Sequence, residues 1–269
     1  MYELDKVKNK LERGELIFIT NSLMSDPSVS ELMAFSGSDI IWIDMEHGAI
    51  DYKDVELHII AAHSGGAAVF IRIPWNDPVM VKKVIDMGPD GIIFPLVKNA
   101  GEVERAIRAC EYPPNGIRGW NPIRAVKYGV EDGNWYKENA SRLTWKIMMI
   151  EDIEAVRDLD RILEVEGLDA LMIGPSDLSG SMGKLLDTQD QEVQDTLDFI
   201  VERCREKHVP VGVALGCGIG MEAYEPWIRR GVQMMSVGQD VNLLVQATRD
   251  NISHVKQAIE NVEEKRYGH

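Results

Sequence analysis

This chain is poor in cysteine, in basic residues and in long apolar runs, and each shortage excludes a class of protein. Its 269 residues include three cysteines, Cys110, Cys204 and Cys217, and no two of them form a CxxC pair. An odd number of distant cysteines supports neither a disulfide framework nor a zinc ribbon. We therefore expect reduced thiols of the kind found in cytoplasmic proteins.

The excess of acidic over basic residues excludes some classes of binding partner. Asp and Glu number 44 against 29 Lys and Arg, which gives a formal net charge of −15. Binding to nucleic acid or to an anionic membrane surface needs a basic footprint, so neither partner is expected. No apolar run approaches the ~20 residues of a membrane span, and the amino terminus has no hydrophobic signal region. These features predict a soluble cytoplasmic protein.

What the chain does have is a regular alternation of short apolar runs and helical stretches. Eight runs predict strands, at residues 16–20, 40–43, 67–73, 91–97, 145–150, 170–173, 209–215 and 233–237. Strands that alternate with helices pair in parallel through right-handed crossovers. Eight such units in a chain of this length favour a closed (β/α)8 barrel, the TIM barrel, over an open sheet. We therefore predict one α/β domain over residues 1–269, with an additional N-terminal helix before the first strand.

One segment, residues 112–141, interrupts this rhythm. It contains two adjacent prolines and several glycines. Loops of this length in compact domains are usually functional or disordered. Because the segment falls between the fourth and fifth predicted strands, we interpret it as a lid over the active site. Arg118 and Arg124 within it are then either solvated charges or clamps for an anion.

Two carboxylates indicate a metal site. Glu151 follows the fifth apolar run, and Asp177 follows the sixth after a turn through Gly174. The active site of a (β/α)8 barrel lies at the carboxyl ends of the strands, so both acids would meet at one mouth. Two carboxylates without a histidine or thiolate partner suit Mg²⁺ or Mn²⁺, which keep several waters. The alternative is that each acid caps the helix that follows it.

Polar residues also end the second and third runs. His47 is the best candidate for a general acid–base, because imidazole titrates near neutrality and Asp44 and Glu46 flank it. The alternative for His47 is a hydrogen bond within its loop. Arg72 ends an otherwise apolar run, and a buried guanidinium needs an anionic partner. That partner is either a substrate carboxylate or, in an empty site, Glu46 or Glu151.

The turn after the sixth run adds backbone donors to this set. The N–H groups of Ser176 and Asp177 can hold a carboxylate, and Gly174 allows the backbone to approach a ligand. A divalent metal, an arginine, these amides and a histidine suit a 2-keto acid, whose enolate they would stabilise. Lys98 and Lys146 are poorly placed for a Schiff base, which disfavours imine chemistry.

Taken together, these motifs resemble the HpcH/HpaI aldolase family. Its members are metal-dependent (class II) pyruvate aldolases, related to 2-dehydro-3-deoxyglucarate aldolase and macrophomate synthase. The resemblance covers nearly the whole chain. It is carried, in family order, by Ile43-Asp-Met-Glu-His-Gly48, Arg72-Ile-Pro74, Asp86-Met-Gly88 with Pro95-Leu-Val97, Tyr112-Pro-Pro-Asn-Gly-Ile-Arg-Gly119, Glu151 and Gly174-Pro-Ser-Asp-Leu-Ser-Gly-Ser-Met-Gly183.

The resemblance implies a phosphoenolpyruvate/pyruvate-type barrel that assembles as a homo-hexamer, a trimer of dimers whose subunits exchange their last helix. It also implies that Glu151 and Asp177 bind Mg²⁺ or Mn²⁺, with Co²⁺ as a further option. Arg72 would contact the keto acid and its enolate. His47 with Asp44 would form an acid–base dyad. Asp86 matches an aspartate that reaches the site of a neighbouring subunit.

On this basis we expect a carbon–carbon lyase that cleaves a 4-hydroxy-2-oxo acid to pyruvate and an aldehyde, through an enolate of pyruvate. Decarboxylation of oxaloacetate and a citrate-type condensation use the same enolate and stay open. Met149 stands where the family usually has glutamine, and methionine cannot donate a hydrogen bond to a bound water or substrate oxygen. This departure also leaves open a catalytically weak keto-acid-binding protein.

Overall fold

The computed structural model describes residues 3–216 and 221–267, with side chains up to residue 263, and it confirms the barrel. Each strand pairs in parallel with the next, and the eighth pairs with the first to close the sheet. Every predicted run forms a strand, with ends that shift by a few residues. The strands are β1 (Ile17–Ser22), β2 (Ile40–Asp44), β3 (Ala68–Arg72), β4 (Gly91–Phe94), β5 (Trp145–Ile150), β6 (Ala170–Ile173), β7 (Val211–Val213) and β8 (Met234–Gln239).

Helices alternate with these strands, and one precedes β1 as predicted. They are α1 (Glu3–Glu12), α2 (Pro27–Phe35), α3 (Tyr52–Ser64), α4 (Pro78–Ile85), α5 (Ala100–Cys110), α6 (Gly133–Leu143), α7 (Ile153–Arg157), α8 (Leu159–Ile162), α9 (Pro175–Ser181), α10 (Gln191–Glu206), α11 (Met221–Arg230) and α12 (Asp240–Tyr267). Several begin at an Asp or Asn side chain that accepts hydrogen bonds from the first free N–H groups. These caps include Asp26, Asp51, Asp77, Asn99, Asp152 and Asp190.

Alternation of side chains along the strands produces two apolar layers and aims the site residues. One layer lies between the strands and the helices, and the other fills the barrel interior. The interior layer includes Trp42, Phe70, Met149 and Met172. Successive side chains of a strand point to opposite faces, so positions two residues further on share the interior direction. Those positions are Asp44, Arg72, Glu151 and Gly174. They lie above the apolar interior layer, at the mouth formed by the carboxyl ends of the strands.

The segment between α5 and β5 lies at the amino ends of the strands, which corrects its interpretation as a lid. Helix α5 returns the chain from the mouth to the opposite end of the barrel before the segment begins. The Oγ1 of Thr144, at the end of the segment, donates a hydrogen bond of 3.0 Å to the carbonyl of Pro89, just before β4. A position between two strands therefore does not by itself place a segment at the mouth of the barrel. Here α5 separates the segment from β4, so the segment begins at the opposite end.

The last helix carries an apolar stripe that no other described part of the chain covers. Helix α12 has 28 residues, which corresponds to a rod of about 40 Å. Apolar residues recur along it at intervals of three, four and seven, and all of them are exposed. The stripe consists of Val245, Ile252, Val255, Ile259 and Val262. On β1, the outward-facing Phe18 is also 42% exposed, although it belongs to a barrel strand. Both surfaces therefore lack cover within the described residues.

The described cysteines are structural. Cys110 and Cys204 are buried, unpaired thiols. Burial raises the pKa of each to about 12, so neither is a thiolate near neutral pH. Cys217 lies outside the described residues. No helix within residues 3–216 and 221–267 is long and apolar enough to cross a membrane.

Candidate active site

The barrel brings the polar ends of β2, β3, β5 and β6 into one mouth. Asp44 and Arg72 are register partners at the ends of β2 and β3. Glu151 directly follows β5, and Asp177 lies in the first turn of α9, just after β6. The negative charges of Glu46 and Asp177 act on Glu151, so the acids that follow β2, β5 and β6 share one electrostatic environment. The predicted set from these four strands is therefore assembled.

Arg72 is buried and fixed by carboxylates and an aromatic ring. Its Nε lies 3.1 Å from Asp44 Oδ1, and its Nη2 donates to Asp44 Oδ2. Its Nη1 lies 3.0 Å from Glu46 Oε2, so Glu46 is one of the two alternative partners for an empty site that Arg72 contacts. The Cζ atom lies 5.2 Å from the centre of the Trp42 ring. The bidentate pair with Asp44 sets the plane of the guanidinium before any substrate arrives.

Asp44 organises the loop after β2 and does not contact the His47 ring. Its Oδ1 accepts hydrogen bonds from the backbone N–H groups of Glu46 and His47, at 3.0 and 3.2 Å. Gly48 completes this turn, because a Cβ there would lie 2.4 Å from the Asp44 carbonyl oxygen. The His47 side chain is 62% exposed, and its Nε2 lies 4.0 Å from Glu46 Oε2. A dyad with Asp44 therefore requires the exposed ring to rotate.

Glu151 is a buried carboxylate with one oxygen engaged. Its Oε1 accepts a hydrogen bond of 2.6 Å from the backbone N–H of Leu96. Its Oε2 lies beside Gly174, where an added Cβ would be only 2.9 Å away. Burial raises the pKa of Glu151 to about 7, although the Leu96 hydrogen bond acts in the opposite direction. A nearby cation would favour the ionised form of such a carboxylate.

The donor set fits a hard divalent cation. Within the described part of the chain, no group of three or more His, Cys, Asp or Glu side chains could hold a metal. Glu151 and Asp177 would therefore act as a pair, with water and substrate oxygens completing the shell, as is common for Mg²⁺. Glu46 adds negative charge, and its buried Oε2 makes no hydrogen bond despite its ion pair with Arg72. These acids repel one another, and a cation between them would relieve that repulsion.

Three predicted site residues lie at the other end of the barrel. Asp86 caps the end of α4, just before β4. The Nη2 of buried Arg118 donates to Asp86 Oδ1 at 2.7 Å and to the Tyr136 hydroxyl at 3.0 Å. Arg124 donates to the carbonyl of Met87. The structure therefore does not place Arg118 and Arg124 at the mouth of their own barrel, and Arg118 is a buried, paired cation and not a solvated charge. Asp86 also lies far from its own mouth, so any contact with an active site is with a neighbouring barrel.

Neither candidate lysine is placed to form a Schiff base. Lys98 lies in the loop before α5 and forms ion pairs with Asp152 and Glu154, at 3.0 and 3.3 Å. Lys146 is buried in the outer layer, where its Nζ lies 2.8 Å from the Ser141 carbonyl oxygen. This arrangement agrees with the expectation from the sequence that imine chemistry is disfavoured.

Sequence reasoning missed two groups at the mouth. Trp42, beneath Arg72, could have been found because it lies two residues before Asp44 and shares its face. The Leu96 N–H left no side-chain signal, because it is a backbone group. Met149 was singled out correctly as an interior residue: it is buried, and its Cε would lie 3.2 Å from a Cβ at position 174. It therefore lies beside the carboxylate of Glu151.

The raised pKa of Glu151 predicts a pH-dependent destabilisation of the metal-free protein. A carboxyl whose pKa rises from 4.5 to about 7 on folding stabilises the fold fully below pH 4.5 and loses that contribution as the pH rises through 7. Glu151→Gln cannot ionise, so at pH 8 it should unfold with a free energy up to about 3 kcal/mol higher than the unsubstituted protein. Denaturant unfolding in chelator at pH 5 and pH 8 measures this. If Glu151→Gln differs from the unsubstituted protein by the same free energy of unfolding at both pH values, or if Asp152→Asn is stabilised equally at pH 8, the raised pKa does not belong to Glu151.

Comparison with known proteins adds an independent line of evidence. Residues 19–247 match the HpcH/HpaI aldolase/citrate lyase family. A hydroxypyruvate/pyruvate aldolase of Rhizorhabdus wittichii is 33% identical over 230 residues, which cover 84% of this chain and 89% of that protein. A 4-hydroxy-2-oxo-heptane-1,7-dioate aldolase of Escherichia coli is 33% identical over 227 residues, 83% of this chain and 84% of that protein. The crystal structure of the citrate synthase SbnG superposes with a TM-score of 0.82 at 30% identity, covering 94% of this chain and 98% of that one.

Proposed function

The chain belongs to the HpcH/HpaI aldolase/citrate lyase family, and on that premise we propose that it is a divalent-metal-dependent pyruvate aldolase. Family membership makes it an aldehyde-lyase. The proposed reaction cleaves a 4-hydroxy-2-oxo acid to pyruvate and an aldehyde, and also runs in the direction of addition. The observation that carries this proposal is the pair of carboxylates, Glu151 and Asp177, beside an arginine already fixed in orientation.

We assign the cation to Glu151 and Asp177, and the keto acid to the space beside them. Bound there, Mg²⁺, Mn²⁺ or Co²⁺ supplies the positive charge that polarises the ketone and favours its enolate. Arg72 donates to the same developing oxygen charge, and its fixed plane avoids a reorganisation cost during the reaction. The N–H groups of Ser176 and Asp177 hold the carboxylate of the keto acid, because α9 begins without a side-chain cap. Gly174 leaves room for that approach.

His47 is the proposed acid–base residue. Its exposed ring can rotate, while Asp44 holds its backbone in place. In the cleavage direction the ring accepts the proton of the 4-hydroxyl group as the bond between C3 and C4 breaks. The electron pair of that bond passes to the enolate, the aldehyde leaves, and a proton added at C3 gives pyruvate. In the direction of addition the same ring returns the proton to the new alkoxide.

A second candidate reaction is a citrate-type condensation, which uses an enolate in the same way. The likeness to the citrate synthase SbnG favours this condensation over the decarboxylation of oxaloacetate as the second candidate. A panel of 4-hydroxy-2-oxo acids separates the two candidates, because the aldolase releases pyruvate and a free aldehyde from them. Oxaloacetate with Mn²⁺ provides the broader test. Pyruvate release from it above the rate with Mn²⁺ alone would show enolate chemistry, whereas a mere keto-acid-binding protein would not exceed that rate.

We propose that the uncovered stripe of α12 is exchanged between subunits of a homo-hexamer. Replacing Val255 and Ile259 together with aspartate places two charges on that stripe, because residues four apart share a helix face. The assembly should then dissociate to monomers at micromolar concentration, which light scattering with size exclusion would measure. Gln257→Asp serves as the control, because Gln257 lies on the opposite, polar face of the same helix. An unchanged molar mass of the double variant would contradict the exchange.

A substitution at Met149 should distinguish between the candidate reactions. Met149→Gln would place a hydrogen-bonding amide beside Glu151. An aldolase should gain aldol activity or keep it, whereas an enzyme adapted to an apolar wall should lose native turnover while aldol cleavage grows. Met148→Gln is the matched control, because Met148 is equally buried but faces the helices. If both variants lose only stability, by about 1–3 kcal/mol each, Met149 has no role in specificity.

A further inference from the structure

Leu96 has a backbone conformation that its own side chain does not favour. Its φ is +54°, in the left-handed region that glycine adopts readily and leucine rarely does. The residue lies two positions beyond the end of β4, between Pro95 and Val97, which are both buried. Leu96 itself is 37% exposed, so packing of its side chain does not explain the strain. Such conformations persist only where the surrounding structure imposes them, and they cluster at functional sites.

The left-handed turn aims one backbone group at the candidate cation site. The Leu96 N–H lies 2.6 Å from Glu151 Oε1, across the pairing of β4 with β5. This is the one hydrogen bond that the described residues give to the Glu151 carboxylate. With Oε1 engaged, Oε2 lies beside Gly174, the residue that leads into the turn of Asp177. The hydrogen bond thus sets the rotation of the carboxylate and which oxygen faces the second proposed ligand.

We propose that Leu96 is a positioning residue, whose strained backbone holds Glu151 in the orientation that binds the divalent cation. This inference rests on the proposed function, in which Glu151 is a ligand. Groups that orient a metal ligand by hydrogen bonding typically change metal affinity by ten- to hundredfold when removed. In Leu96 that group is the main-chain N–H, so its position depends on φ and not on the chemistry of the side chain.

Dependence on φ permits a test with three substitutions at one position. Leu96→Ile keeps the size and the apolar character, but a β-branched residue is a severe outlier at positive φ and would move the N–H away from Glu151. Leu96→Gly and Leu96→Asn discard the apolar side chain but accept the left-handed conformation. If the apolar side chain of Leu96 matters, Leu96→Ile should weaken Mn²⁺ binding least of the three. If the backbone conformation matters, Leu96→Ile should weaken Mn²⁺ binding most.

The measurement is Mn²⁺ affinity of the metal-free protein, by titration calorimetry at pH 8. We expect Leu96→Ile to raise the Kd about tenfold or more, and Leu96→Gly and Leu96→Asn to keep it within about threefold of the unsubstituted value. Leu186→Ile is the matched control, because Leu186 has a φ of +66° and is 72% exposed, and no hydrogen bond among the described residues links it to the site. That control should lose stability and keep its Mn²⁺ affinity.

Further arms separate failure of this inference from failure of the proposed function. If Glu151→Gln binds Mn²⁺ as tightly as the unsubstituted protein, the ligand assignment itself is wrong. If Glu151→Gln loses binding while Leu96→Ile retains it, the assignment stands and the positioning role of Leu96 is overturned. Should Leu96→Ile fail to fold, a backbone ester at residue 96 removes the N–H and leaves the side chain unchanged. That ester should raise the Kd for Mn²⁺ by the same factor, and an unchanged Kd would overturn the role.

Discussion

Glu151→Gln is expected to abolish metal-dependent turnover while the barrel remains folded. Glutamine keeps the shape of the side chain and an oxygen that can accept the Leu96 hydrogen bond, but it removes the negative charge. A hard cation held by two carboxylates would then keep only one of them. The loss in kcat/KM should therefore exceed the ten- to hundredfold that is typical of residues that only orient a ligand. Asp177→Asn is expected to have the same consequence for the same reason.

The assay is pyruvate release in protein that has been treated with chelator and then supplied with Mg²⁺ or Mn²⁺. Asp152→Asn is the matched control, because Asp152 is the adjacent acid but caps α7 and pairs with Lys98. It should retain activity close to that of the unsubstituted protein. Full activity of Glu151→Gln or Asp177→Asn after metal is restored would contradict the proposed cation site.

Arg72→Lys is expected to lower turnover by about a hundred- to a thousandfold, even at saturating keto acid. Lysine keeps the positive charge but loses the planar fork that pairs with Asp44. The enolate carries more negative charge on its oxygen than the ketone does, so a displaced donor affects the transition state more than substrate binding. Loss of one donor to such an oxygen has this magnitude in other enzymes. KM should change less than kcat.

Exchange of the methyl protons of pyruvate with deuterium isolates this step, because it needs the enolate but no aldehyde. Arg230→Lys is the matched control: Arg230 pairs with Asp198 and lies 5.0 Å from the Trp227 ring centre, but it belongs to outer helix α11. The control should exchange pyruvate protons at the unsubstituted rate. An unsubstituted rate in Arg72→Lys would exclude a role for Arg72 at the enolate.

The sequence predicted the parts of the site that depend on position along a strand. Glu151 and Asp177 were found because parallel strands deliver their carboxyl ends to one mouth, and this rule needs no knowledge of distant contacts. Arg118 and Arg124 were expected at the mouth because their segment lies between two strands. A loop that directly follows a strand lies at the mouth, whereas a loop that follows a helix lies at the opposite end of the barrel. Here α5 precedes it and reverses the direction of the chain.

Other features depend on contacts between residues far apart in the chain and could not be predicted from local pattern. Asp44 was assigned to the His47 ring, its near neighbour in sequence, but its side chain pairs with Arg72, 28 positions away. The hydrogen bond from Leu96 to Glu151 spans 55 positions and involves a backbone group. The ion pair of Asp86 with Arg118 likewise joins two separate motifs. The outline of the barrel could be predicted because it follows from the alternation of apolar runs and helical stretches along the sequence. These pairs could not, because they form only when the folded barrel brings distant residues together.

Metal-dependent aldol cleavage can be tested most directly by following pyruvate release from a panel of 4-hydroxy-2-oxo acids, in chelator and after addition of Mn²⁺, with borohydride present in a parallel set. A class II pyruvate aldolase releases pyruvate and an aldehyde from at least one of these acids when Mn²⁺ is restored. It releases none above background in chelator and gains no mass from borohydride. Undiminished pyruvate release in chelator, together with a pyruvyl adduct on a lysine after borohydride, would contradict the proposed chemistry.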